Sequence, residues 1–187
     1  MTTIQLNPDN PAPTDIARQI VSVDVSYVNF ENEQNVGVIE VNQSVETEVR
    51  EFFKLGLELK FPIEKVVRSS DQAYQWDDDR LISDNASSGF NYRFIKDTQQ
   101  PSLHGLGYAI DINPRLNPYI RYNEDGSETV DPIGAVYDPA QPGALMNEHP
   151  LVVFMKERGW EWGGDWTKAS GRIDYQHFEK KRVEEKV

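Results

Sequence analysis

Two short alternating runs near the start of the chain commit it to β-structure. In "VSVDVSYVNF" (Val21–Phe30) and "VGVIEV" (Val36–Val41), β-branched residues alternate with polar ones around a segment carrying Glu, Asn and Gln. A period of two gives each run one apolar face, so the pair is expected to form a β-hairpin. The period then changes. Val45, Val49, Phe52 and Phe53 recur at helical spacing, Ser44 is placed to cap that helix, and Glu46 and Glu48 suit the positive end of its dipole. The helix is expected to stop near Pro62. A second is expected from an Asn147 cap through Leu151, Phe154 and Met155 to Gly159. Between them, Asp71–Asn91 holds "WDDDR" and "SDNASSG" and reads as a long loop. Its acidic run lacks the alternating oxygen ligands and glycine of an EF-hand, which favours a solvated acidic loop over a calcium site.

At 187 residues the chain suits one compact domain. Residues 1–19, with Pro, Asn and Thr prominent, read as a loose lead-in, residues 20–179 as the domain, and residues 180–187 as a charged tail. The net charge of −12 argues against nucleic acid or an anionic membrane surface as the main partner. No stretch approaches the roughly 20 apolar residues of a membrane span, and the N-terminus lacks the cationic start and apolar run of an export signal. There is no cysteine, so any metal must be held by His, Asp or Glu.

The stretch "SLHGLGYAIDIN" (Ser102–Asn113) places a carboxylate in the middle of a strand-like run. Alternation puts Tyr108, Ile110 and Ile112 on one face and Ala109, Asp111 and Asn113 on the other. A half-buried Asp111 is costly without a cation or hydrogen-bond donors, and His104 stands seven residues upstream across two glycines that permit a close-packed turn. The two could share a metal. The segment "GRIDYQHFE" offers His177 as a third ligand, with Asp174 and Glu179 as carboxylates. Asp174 and His177 are three apart and would point to opposite faces of a regular strand, so a shared site requires a turn between them, with Asp174 expected in it. Each residue alone is more often structural, a core or surface histidine or a turn-capping carboxylate, and the constellation is what favours a site. His149, beside a proline at a helix start, is the alternative to His177 as ligand and is disfavoured, since "DYQHF" carries an adjacent acid.

These segments, together with "GWEWGGDW", resemble the VanY-like family of zinc peptidases, which contains D-alanyl-D-alanine carboxypeptidases and L-alanyl-D-glutamate endopeptidases of bacterial and phage origin. The pattern is S-x-H-x(6)-D, then an acidic residue three before a second His, matched by Ser102, His104, Asp111, Asp174 and His177. The resemblance implies an α+β fold of hedgehog or D-Ala-D-Ala peptidase type, with a small antiparallel sheet, helices packed on it and a zinc cleft on the sheet. It implies one zinc ion held by His104, Asp111 and His177 with the fourth position open to water, and Asp174 as general base. The family carries an arginine upstream of the first ligand to steady the oxyanion or a substrate carboxylate, and Arg93 in "FNYR" fits that place better than Arg68 in "VVRSS". Ser102, Trp162 and Trp166 are the candidate substrate-binding residues, with at least one tryptophan expected as a cleft wall.

Asp174 in place of Glu tilts the reading toward an endolysin-like L-alanyl-D-glutamate endopeptidase, a monomer acting on peptidoglycan peptides. The alternatives are a D-alanyl-D-alanine carboxypeptidase, a non-catalytic zinc-bearing module that binds wall peptides, and a zinc amidohydrolase. With no export signal visible, the protein is expected to be made in the cytoplasm and to reach the wall by other means.

Overall fold

The computed structural model describes residues 4–95 and 98–181. A short helix α1 (Thr14–Ala17) precedes the hairpin β1 (Ile20–Val28) and β2 (Gln34–Asn42), whose antiparallel register runs from Ile20 opposite Asn42 to Val28 opposite Gln34. Asn42 Oδ1 accepts from Ser44 N and caps a 3-10 turn (Gln43–Val45), after which α2 (Glu46–Glu58) begins. Ser44 is therefore not the helix cap. Val45, Val49, Phe52 and Phe53 are all buried, as their spacing requires, and α2 lays that face on β1.

Strand β3 (Lys65–Val66) is followed by the stretch expected to be a loop, which instead contains α3 (Asp78–Ser83) and β4 (Ala86–Ser87). The triple aspartate is a helix start. Asp77 Oδ1 accepts from Arg80 N, and Asp78 and Asp79 occupy the first turn, where the dipole favours negative charge. Strands β5 (Ala109–Asp111), β6 (Tyr119–Tyr122) and β7 (Glu128–Asp131) come next, then α4 (Pro150–Glu157). Its cap is His149, whose Nδ1 accepts from Leu151 N, and not Asn147, which accepts from Lys156 Nζ. Gly159, at φ 80°, lies just past the helix end as expected. Strands β8 (Glu161–Trp162), β9 (Arg172–Asp174) and β10 (His177–Glu179) complete the order.

Among the described residues the strands form four small sheets: β1-β2, β5-β10-β8, the parallel pair β3-β4, and β7-β6-β9. The class is α+β and mainly antiparallel, with several small sheets in place of the single one expected. One core joins the hairpin, α2, α4 and β5-β10-β8 through Ile39, Phe52, Ile110, Ile112, Leu151 and Phe178. A second cluster holds Ala12, Ile20, Phe90 and Tyr92, with Ile4, Leu6 and Ile16 packed against it, so part of the segment read as a lead-in lies on the protein. No described helix is long and apolar enough to cross a membrane. The tail from residue 182 onward lies outside the described residues.

Candidate metal centre

Two sheets meet at the site. In β5-β10-β8, Asp111 stands directly opposite His177, and the alternation read from "GYAIDIN" holds: Ile110 and Ile112 enter the core while Asp111 turns to the other face. Residues His104–Leu106 form a 3-10 turn, and Ser102 Oγ, just before it, accepts from Gly105 N. Gly107 closes that turn at φ 75°, where a side chain would strike Asn42 N and Ile20. The turn thereby rests on the hairpin and presents His104 to Asp111.

His104, Asp111 and His177 are buried, and their ligand atoms all lie within 4.8 Å of one another. His104 Nε2 is 3.2 Å from His177 Nδ1 and 3.2 Å from Asp111 Oδ2, and His177 Nδ1 is 3.0 Å from Asp111 Oδ1. The outer nitrogens have partners of their own. His104 Nδ1 is 2.8 Å from the Gly89 carbonyl, and His177 Nε2 is 3.0 Å from Glu179 Oε2. Donating N–H outward on both rings leaves two imidazole lone pairs and a carboxylate converging on one point, a donor set that requires a cation. An ion with bonds of about 2.0–2.1 Å and tetrahedral angles separates its ligands by roughly 3.3–3.4 Å, close to these spacings. The donors fit zinc.

The electrostatics agree. Burial alone would raise Asp111, yet His104 and His177 outweigh it and hold its carboxyl far below the usual range. Burial opposes charge on His177, but its hydrogen bonds to Asp111 and Glu179 prevail and push it up to about 10. The pocket favours positive charge.

Asp174 was expected in a turn, but it ends β9, and Tyr175 and Gln176 turn the chain into β10. The two strands lie in different sheets, which is how residues three apart reach one site. Asp174 is half-buried, and its Oδ1 is enclosed without a hydrogen-bond partner among the described residues. Burial pushes its carboxyl up to about 6, His177 pulls against that rise, and Asp111 adds to it. Gly163 explains part of "WGG": a Cβ there would strike the Asp174 carbonyl oxygen and lie 2.9 Å from Asp174 Cβ. Only a glycine lets that segment pack on the β9 end.

The site opens into a cleft of about 1030 Å³. Ser102, Arg93 and Trp166 line it with the three ligands and Asp174. Arg93 Nη2 is 2.6 Å from Asp78 Oδ2, and its Nη1 is enclosed without a partner among the described residues. Arg68 lies outside the lining. Trp166 stands 5.6 Å from the His177 ring. Trp162 does not wall the cleft: it is buried in the core, donating Nε1–H to the Tyr175 carbonyl, because it pairs across the ladder with the core residue Phe178 and shares its face. His149 is also elsewhere, capping α4 against Phe61. Sequence reasoning missed Arg172 and Gln176 on the lining, and gave Glu179 only as a carboxylate near His177. The i,i+2 spacing of His177 and Glu179 on one strand face was the available signal for the latter.

The fold and site thus define a class: an α+β protein with a buried His-Asp-His cluster able to hold one metal ion, and a carboxylate of raised pKa beside it. Residues 96–180 match a family model described as D-alanyl-D-alanine carboxypeptidase, the VanY-like family that the motifs of this segment resemble. The match takes in His104, Asp111, Asp174 and His177 and begins beyond Arg93. No curated protein and no solved structure matches the chain significantly.

Proposed function

We propose that the protein is a zinc-dependent peptidase that hydrolyses the peptide part of peptidoglycan, cutting between L-alanine and D-glutamate. The observation that carries this reading is the convergence of His104 Nε2, His177 Nδ1 and the Asp111 carboxylate, with Asp174 beside them. Zinc, when bound, supplies a Lewis acid that polarises the scissile carbonyl and acidifies water. Asp174 takes a proton from the attacking water and returns it to the leaving nitrogen, a role suited to a carboxyl lifted to about 6. Arg93, on the cleft and held by Asp78, steadies the oxyanion. Trp166 and Ser102 border the substrate, and Ser102 also braces the turn that carries His104.

Asp174 in place of Glu, which resembles the endopeptidase branch of the family, is what tilts the reading toward that bond. The family description favours a second reading, removal of a terminal D-alanine. Action on the wall after release or export by other means completes the proposal. Digestion of purified muropeptides followed by mass analysis tests it. A new N-terminal D-glutamate is expected; release of free D-alanine alone would exchange the endopeptidase for the carboxypeptidase, and no cleavage would overturn both.

A further inference from the structure

Besides the metal-site histidines, three cationic side chains line the cleft: Arg93, Arg172 and Lys181. Arg93 is paired with Asp78 and Lys181 with Glu161. Among the described residues Arg172 makes no salt bridge, although the protein carries 31 acidic residues against 19 basic ones. The sheet β7-β6-β9 sharpens the point. Its register places Asp131, Tyr119 and Asp174 in one row and Thr129, Arg121 and Arg172 two positions away, so the two rows share a face. Arg121 and Arg172 are direct cross-strand partners, an arrangement of like charges that costs stability. The Arg172 guanidinium lies 4.5 Å over the Trp166 ring, and that ring faces His177. Stacking occupies the face of the guanidinium and leaves its in-plane N–H donors free for a planar bidentate acceptor. Glu179, which feels the Arg172 charge without a salt bridge to it, gives its Oε2 to His177.

We infer that Arg172, reinforced by Arg121, binds a free carboxylate on the leaving-group side of the bond cut and makes the protein selective for it. Arg172 lies two residues from Asp174 along β9, about 6.6 Å at strand rise. The inference rests on the peptidase reading for the identity of the ligand. In an L-alanyl-D-glutamyl peptide linked onward through the γ-carboxyl, the α-carboxylate of D-glutamate stays free, and its carbon lies about 2.5 Å from the scissile nitrogen. A guanidinium at that remove from the base reaches it. Conversion of this carboxylate to the amide removes the charge and one acceptor, so the amidated peptide is the natural comparison.

The test uses L-Ala-γ-D-Glu-L-Lys-D-Ala and its D-isoglutamine counterpart with the zinc-loaded protein. The wild type is expected to favour the acid by roughly tenfold or more in kcat/KM, the worth of a charge-assisted bidentate contact. In Arg172→Ala that ratio should fall to near one, mainly through KM for the acid, and Arg172→Lys should fall between. The same comparison by calorimetry in Asp174→Asn separates binding from turnover. Tighter binding of the acid that depends on Arg172 would sustain the inference even if neither peptide were cut. Equal affinity for both peptides, no binding of either, or a preference that survives Arg172→Ala would overturn it.

Discussion

His177 and Asp111 face each other across the β5–β10 ladder, with Nδ1 3.0 Å from Oδ1, while the far nitrogen of the same ring meets Glu179 Oε2 at 3.0 Å. One imidazole is thus gripped from both sides by carboxylates carried on two paired strands. Zinc binding at His177 Nδ1 would replace a proton. Because this group is lifted to about 10, it is protonated at pH 7 in the metal-free protein. We expect zinc binding at pH 7 to release about one proton, and affinity to fall as pH is lowered. Calorimetry in buffers of different ionisation enthalpy measures this, and binding without proton release would contradict the protonation state given to His177.

In the proposed zinc site Glu179 would fix the His177 ring and raise its basicity as a ligand without being a ligand itself. Glu179→Ala is expected to weaken zinc binding about 10–100-fold, and Glu179→Gln, which keeps an acceptor, by less. Competition with a chromophoric chelator reads both. Equal affinity in all three proteins would show that the contact does no orienting.

Asp174 should be dispensable for metal and required for turnover. Asp174→Asn is expected to keep near-normal zinc and to lose roughly 10²–10⁴-fold in kcat. A base must be ionised, so kcat/KM should rise with pH through an acid limb at or below about 6, since a bound zinc would draw the carboxyl down from that value. For folding the sign runs the other way: a carboxyl raised from 3.8 contributes stability below about pH 4 that is lost as pH rises through about 6. A pH–rate profile with no acid limb, or full activity in Asp174→Asn, would move the base elsewhere, with Glu179 next in line.

Gly163→Ala tests how the base is held. The added Cβ meets the Asp174 backbone, which cannot swing away as a flexible side chain would, so about 1–3 kcal/mol of stability should be lost together with turnover. Thermal melting and kinetics follow both. An unchanged midpoint with full activity would mean that β9 yields freely.

Much of this was legible in the residues, and the misses share a cause. The hairpin and the buried face of α2 followed from period alone, and His104, Asp111 and His177 followed from a donor set that no cysteine could complicate. Helix starts were harder. Asn42 takes the role given to Ser44, His149 the role given to Asn147, and the triple aspartate, read as a loop, opens α3, because capping depends on backbone directions that local composition does not carry. Trp162 and Trp166 look alike in "GWEWGGDW", yet the 3-10 turn at Gly163–Asp165 sends one ring into the core and the other to the cleft. Arg172 went unnoticed because its significance lies in a cross-strand partner, Arg121, about fifty positions away in sequence.

The central claim is that His104, Asp111 and His177 form one zinc centre, and metal content of the purified protein and its three single-alanine variants tests it most directly. One zinc per wild-type chain is predicted, with content or affinity sharply reduced in His104→Ala, Asp111→Ala and His177→Ala while the Asp174→Asn protein retains its metal. A full, tightly held equivalent of zinc in all three alanine variants would contradict the account.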